Sequence, residues 1–369
     1  MGTPFKLWLD DAAVDAIADR YAAAWSGFPR DRFVALGRDG LDALELLDRG
    51  RHLGQALGAC LPADDGRALR VFLDAMGPTH GGEEAFGDHV FRYLPDSAWL
   101  STHGYDHWEL GMRAHAALTQ RFTAEFSLRP WIVRFQDRVL AQCATWVHDE
   151  SAHVRRMVSE ATRPRLPWGG HLRALIRDPR PTLPLLTALR DDPSAYVRRS
   201  VANHLGDIGK DHPDLLLDVA RDWSTDAPEP RRQLLAHALR VPVKQGHPVA
   251  LALVGADVGA DLRASATVRP AQVRIGDKVQ VEVVVHNPGE APVAGLVDLV
   301  VHFVQKTGTG AKVFKGWKGT VEPGAELRFR VSVSLAVHTT RAPRPGTHRV
   351  DLRVCGRTEP GPSFEVLPA

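Results

Sequence analysis

DESAHVRRMVSE (Asp149–Glu160) and DPSAYVRRSVAN (Asp192–Asn203) align without a gap 43 positions apart, and this pair decides the first part of the fold. Each copy opens on Asp and Ser, residue types that start helices, and continues with apolar residues at helical spacing. PRRQLLA (Pro230–Ala236) is a fainter third copy, 33 positions after the second. Such periods mark stacked helical repeats of the HEAT type, in which each unit has an apolar face that it buries only against its neighbour. Helical spacing also runs upstream, through Leu41, Leu44 and Leu47 and through Val71, Phe72 and Ala75.

Near residue 256 the pattern changes from helical spacing to strict alternation. Val279, Val281, Val283 and Val285 are followed by Leu299, Val301 and Phe303, by Leu327, Phe329, Val331 and Val333, and by Val350, Leu352 and Val354. The intervening HNPGEAPVAG, TGTGA, EPGAE and RAPRPGTH are Gly- and Pro-rich turns, the punctuation of a β-sandwich of about 100 residues. The chain therefore reads as multidomain: an all-α HEAT-like repeat solenoid over 1–257, then an all-β immunoglobulin-like sandwich over 258–369. The boundary is expected between Ala256 and Arg269, and the Cys/Trp/Cys spacing of antibody domains is missing.

Composition agrees with a chain that buries large cores. Of 369 residues, 44% are hydrophobic and 24% charged, which excludes disordered and collagen-like classes. No run approaches the roughly 18 apolar residues of a membrane-spanning helix, and the N-terminus is acidic and amphipathic, so no membrane partner and a cytoplasmic location are expected. Cys60, Cys143 and Cys355 are few and far apart, as reduced buried thiols would be. The net charge of +2 conceals a gradient: about −8 over 1–110, then about +5 over each of 111–259 and 260–369.

Helical geometry assigns faces within the repeats. Val154, Met157, Val158 and Ala161 pack in the first copy, which leaves Arg156, Glu160 and Arg163 on one line; Val197, Val201 and Leu205 pack in the second, leaving Arg199, Asn203 and Asp207. Stacking sets the two lines side by side on a concave surface carrying Arg155, Arg156, Arg163, Arg165, Arg198, Arg199, Arg231 and Arg232. Arginine grips phosphate well, so this surface suits a nucleic-acid backbone. Glu160 and Asp207 repel phosphate, however, and suggest an answer to a positive charge on something bound, such as an N-alkylated base or the oxocarbenium-like state of glycosidic cleavage. An ordinary Arg156–Glu160 surface pair, worth about 0.3–0.5 kcal/mol, fits the same residues and is the commoner arrangement. Trp168, in the proline-flanked RPRLPWGG, is placed on a loop at the edge of this surface, where its face can stack on a base; Trp131 follows Arg129-Pro130 in a similar way.

Residues 5–258 resemble the bacterial DNA alkylation-repair proteins of the AlkC type, HEAT-like repeat glycosylases related to AlkD. The resemblance is carried by HWELGMRAHAALTQRFTAEFSLRPWI (107–132), WVHDESAHVRRMVSEATRPRLPWG (146–169) and DDPSAYVRRSVANHLGDIGKDHPDL (191–215). It implies excision of 3-methyladenine and related cationic methylated bases from double-stranded DNA. It also implies that Glu125, Glu160 and Asp207 are the catalytic carboxylates and that Trp168 faces the lesion; for Glu125 the resemblance alone speaks. Some members of the family carry a C-terminal immunoglobulin-like domain, as this chain does. Within that domain Lys306, Lys312, Lys315 and Lys318 surround Trp317 and are expected to form a second grip on the DNA backbone, although solubilising surface lysines fit equally well.

His103 and His107 lie four apart with no third ligand indicated, and neither HExxH nor a glycine-rich phosphate loop occurs, so no metal and no cofactor are expected. A monomer that encircles DNA is expected. Two alternatives remain: a helical-repeat scaffold for protein partners, and a DNA-damage-binding protein without catalysis.

Overall fold

The computed structural model describes residues 4–79, 82, 88–337 and 342–368. Fifteen α-helices among the described residues precede the first strand: α1 (Asp11–Ala24), α2 (Arg30–Arg38), α3 (Leu46–Gly58), α4 (Asp65–Asp74), α5 (Leu94–Leu100), α6 (Trp108–Thr119), α7 (Glu125–Trp146), α8 (Ala152–Ala161), α9 (Arg173–Arg177), α10 (Leu183–Leu189), α11 (Ala195–Asp211), α12 (Pro213–Ser224), α13 (Glu229–Ala238), α14 (Arg240–Gln245) and α15 (Pro248–Leu253). None of the described helices is long and apolar enough to cross a membrane. The chain divides into two compact units, 1–215 and 216–369.

In the first unit the repeated motif builds the same turn twice. Ser151 and Ser194 are the N-caps of α8 and α11, and the preceding aspartates brace them: Ser151 donates its backbone N–H to Asp149 Oδ1 at 2.8 Å and Ser194 to Asp192 Oδ1 at 2.9 Å. The first arginine of each Arg-Arg pair then folds back on its own turn. Arg155 Nη1 donates to the carbonyls of Asp149 and Glu150 at 2.8 and 2.9 Å, and Arg198 Nη1 donates to those of Asp192 and Pro193 at 2.5 and 2.9 Å. Arg155 also reaches across to the second copy, with Nε and Nη2 on Asp192 at 2.6 and 3.0 Å. The two helices pack through Val154, Met157, Val158 and Ala161 against Val197, Val201 and Leu205, all fully buried.

In the second unit Arg232 makes the equivalent bond to the carbonyl of Ala227 at 2.6 Å, five residues back, and Pro228 is the N-cap of α13. The third copy therefore lies 34 positions after the second, one more than sequence spacing suggested.

Nine strands among the described residues make the sandwich. One sheet has the order β1 (Arg263–Arg269), β3 (Lys278–His286), β6 (Glu326–Ser334); the other runs β2 (Gln272–Arg274), β9 (Ser363–Leu367), β7 (Gly346–Val354), β4 (Val293–Val304), β5 (Thr309–Val321), with β8 (Arg357–Glu359) on β7. The alternating valines, leucines and phenylalanines of β3, β4 and β7 form the core between the sheets. β1 occupies part of the stretch expected as the boundary. Its small apolar residues Ala264 and Ala266 pair with Val285 and Val283, and that pairing makes the segment a strand.

The unit boundary also falls earlier than the change from helix to strand, because the last helices pack on the sandwich. Lys318 Nζ donates to the Val254 carbonyl at 2.6 Å, the Ala294 N–H donates to Asp257 at 2.7 Å, and Arg353 donates to the Lys244 carbonyl. A β-bulge between Val297 and Asp298 then separates the basic residues of β5. Lys312 pairs with Val301 on the core side at the sheet edge, whereas Lys315 and Lys318 pair with Asp298 and Leu296 on the opposite side, facing the helices. The single lysine cluster expected from the sequence is thus two groups on two faces.

Asp192 is buried and holds both the Ser194 turn and the Arg155 guanidinium, so Asp192→Ala strands a largely buried cation. It should lower the unfolding free energy by about 3 kcal/mol in urea titrations, with Asp192→Asn losing less because its amide oxygen still braces the turn.

Candidate active site

Three carboxylates converge in the first unit. Glu125 begins α7, Glu160 ends α8 and Asp207 lies in the last turns of α11; each is at most 4% exposed. Arg163 lies between two of them, with Nη1 on Glu160 Oε2 at 2.9 Å and Nε on Asp207 Oδ2 at 2.7 Å. Lys210 takes the other Asp207 oxygen at 2.8 Å, so both oxygens of Asp207 are occupied. Arg156 bridges the other pair more loosely, at 3.7 Å from Glu125 Oε1 and 3.9 Å from Glu160 Oε1. Its guanidinium lies 4.9 Å from the centre of the Tyr196 ring, and Nη1 donates to Thr123 at 3.3 Å.

The oxygens left over are the informative ones. Glu125 Oε2 is buried without a hydrogen-bond partner among the described residues, and Glu160 Oε1 has only the long contact to Arg156. A buried carboxylate oxygen with no donor is costly, and such groups concentrate where a ligand or water completes the set. Burial pushes the Glu125 carboxyl up and Glu160 adds to the rise, while Arg156 opposes it. Burial likewise drives Tyr196 up to about 12 and His204, on α11 beneath the acids, down to about 3. His204 is therefore neutral, and the positive charge within the cluster comes from guanidinium and ammonium groups.

Sequence reasoning passed over Arg129, one helical turn after Glu125. Its Nη1 donates to the carbonyls of Ala161 and Arg163 at 2.9 and 2.7 Å, while Nε at 3.0 Å and Nη2 both donate to that of Gly170. Burial and the neighbouring Arg163 lower it to about 10, which leaves it charged at neutral pH. It clamps the end of α8 and the following loop to the helix that carries Glu125. The i, i+4 spacing from Glu125 was the available signal, as i, i+3 was for Lys210; nothing in the sequence marked Tyr196.

That loop presents Trp168, 71% exposed and with φ of +63°, a left-handed conformation that costs a non-glycine residue about 1 kcal/mol or more. Its flank is tied down by Arg165, whose Nε and Nη2 grip Asp211 at 2.6 and 2.7 Å, and a hollow of about 520 Å³ lies beside the indole, lined by Arg165, Pro167, His171 and Lys210. Trp131 differs: it is fully buried, its Nε1 donating to the Leu100 carbonyl at 3.1 Å, because Pro130 lies inside α7 and makes no loop.

The arginines expected to grip phosphate have other partners. Arg155 and Arg198 hold turns, and Arg156 and Arg163 hold carboxylates, because buried acids offer guanidinium a closer partner than solvent does. Arg199 alone of the paired arginines in the first unit is exposed with no partner among the described residues. In the second unit, Lys306, Lys312 and Arg344 line a hollow of about 350 Å³ at one end of the sandwich.

Comparison with known proteins adds three findings. A family model described as "Uncharacterised protein YhaZ, C-terminal Ig-like domain" matches residues 263–368. The uncharacterized protein YhaZ of Bacillus subtilis (strain 168) is 31% identical over 362 residues, covering 97% of this chain and 98% of its own. The structure of the Pseudomonas fluorescens alkylpurine DNA glycosylase AlkC, bound to DNA containing an abasic site analog, superposes with a TM-score of 0.91 and 30% identity, over 99% of this chain and 100% of that one.

The raised Glu125 carboxyl has a stability consequence. An acid with an elevated folded-state pKa binds its proton more tightly when folded, so stability is lost as pH rises from the unfolded value through the folded one. Glu125→Gln should therefore be more stable than wild type at pH 7–8, with the gap closing near pH 4, as read from urea midpoints across pH.

Proposed function

The chain belongs to the family of AlkC and YhaZ, and on that premise we propose that it is a DNA glycosylase of alkylation repair, releasing cationic N-methylated bases such as 3-methyladenine from double-stranded DNA. The observation that carries this reading is the cluster of three buried carboxylates, in which Glu125 Oε2 has no hydrogen-bond partner among the described residues and Glu160 Oε1 has only the long contact to Arg156 there. A floor of that kind rewards a cation and has no use in a surface that only holds phosphate. The superposition with a DNA-bound alkylpurine glycosylase supports the same reading.

The chemistry follows from the charge on the lesion. In an N3-methylated purine nucleotide the base is already cationic; the electrons of the C1′–N bond pass to it as it leaves, so it departs neutral without a general acid. The sugar is left as an oxocarbenium ion, and carboxylates near C1′ stabilise it and orient a water to add there. Glu160 is the residue for the water, since Arg163 fixes Oε2 while Oε1 remains to take the proton as the new C1′–O bond forms. Glu125, with its unpartnered oxygen, stabilises the cation. Asp207, doubly bonded to Arg163 and Lys210, orients Arg163 and through it Glu160. Trp168 supplies a face for the exposed lesion or its gap. Arg199, with Lys306 and Lys312 of the sandwich, contacts the backbone; Lys315 and Lys318, turned toward the helices, contribute less.

Glu160→Gln should reduce release of free 3-methyladenine from methylated duplex by about 100-fold or more while retaining DNA affinity. An uncharged lesion should be a poor substrate for the wild type. Undiminished release by Glu160→Gln would remove its assigned role, and no release by the wild type would leave a damage-binding protein.

A further inference from the structure

A second arrangement in the first unit lies outside the carboxylate cluster. α7 departs from helical geometry at Phe135 (φ −137°, ψ 47°), which turns that ring toward the entry of α6. There Tyr105, Phe135 and Trp108 form a half-buried row, with Phe135 edge-on to Tyr105 at 5.9 Å and to Trp108 at 6.2 Å, backed by the buried Trp131. The Tyr105 hydroxyl is already occupied, donating to the Ser101 carbonyl at 2.6 Å. Two exposed arginines lie on this plate: Arg138 with Cζ 3.9 Å from the Trp108 ring centre, and Arg134 with Cζ 4.8 Å from Tyr105 and 5.3 Å from Phe135.

Neither guanidinium has a hydrogen bond or ion pair among the described residues, although the exposed acids Asp106, Glu109 and Asp137 are close in sequence. An arginine stacked on a ring keeps its N–H edges free, and two of them held in this way are preorganised for the paired bonds that phosphate accepts. Flexible surface arginines meet that entropic cost on binding; these have met it in folding.

We infer that Arg134 and Arg138 form a phosphate clamp for the backbone of duplex DNA flanking the carboxylate site, an inference that rests on the proposed DNA substrate. Arg134 follows Glu125 by nine residues, about 14 Å along α7, and Arg138 lies beyond the departure at Phe135, so both are farther from Glu125 than a flank of three base pairs, about 10 Å, extends.

The test is equilibrium DNA binding across salt for wild type and the Arg134→Gln/Arg138→Gln double variant, on a long duplex and on one cut back to about three pairs on either side of the lesion. On the long duplex the variant should bind about tenfold more weakly near 0.1 M salt, and its log affinity against log salt should be shallower by about two. On the short duplex the two proteins should bind alike, and single-turnover base release at saturation should be unchanged. Arg134→Lys/Arg138→Lys should keep the salt slope and recover only part of the affinity, since lysine keeps the charge without the stacked fork. Equal affinity and slope on the long duplex would overturn the clamp while leaving base release intact. Loss of affinity equally on both duplexes would also overturn it, since the contact would then belong to the lesion site.

Discussion

The Arg163 guanidinium, shared between Glu160 and Asp207, is the interaction on which the rest of the first unit depends. Taking three charged groups out of water is expensive, and the cost is offset only because each finds a partner at 2.7–2.9 Å in a medium that screens poorly. Once made, the bond pair fixes the end of α8 against the last turns of α11. It therefore sets the separation of two carboxylates that belong to different repeats. Arg129 extends the same logic, carrying the fixed geometry from α7 into the loop that displays Trp168.

Much of this was legible in the sequence. The packed and polar lines of α8 and α11 follow from helical spacing, and the repeat places the lines together, so the nearness of Glu160 and Asp207 was derivable. Glu125 was not, because it reaches the cluster from the start of α7, and only tertiary packing brings that end to the end of α8. Arg155 and Arg156 are adjacent and chemically identical, yet one closes a turn and the other bridges acids. Their separation depends on a bend of the chain that a helical wheel does not contain. Trp131 and Trp168 share a proline neighbour, but a proline early in a long helix and a proline in a loop have opposite consequences for the following ring.

The sandwich teaches a similar lesson. The alternating valines of β3 and β7 announced strands, whereas Ala264 and Ala266 of β1 carry too little apolar surface to stand out until Val283 and Val285 pair with them. The lysines of β5 read as one cluster because they lie close together in the sequence around Trp317; strict alternation would set Lys312 with Lys318 and apart from Lys315, and the bulge at Val297/Asp298 instead sets Lys315 with Lys318 and apart from Lys312. A single extra residue reverses the facing of everything beyond it.

The turn made by Asp149, Ser151 and Arg155, and repeated by Asp192, Ser194 and Arg198, closes with bonds that span no more than six residues. Contacts so local carry little loop-closure entropy, so each turn can assemble as a self-contained nucleus while the chain is still emerging from the ribosome. The charged residues that join one repeat to the next then dock preformed pieces. A duplicated segment bringing its own start signal would meet the same docking rules, which is a physical route by which an array of this kind can lengthen.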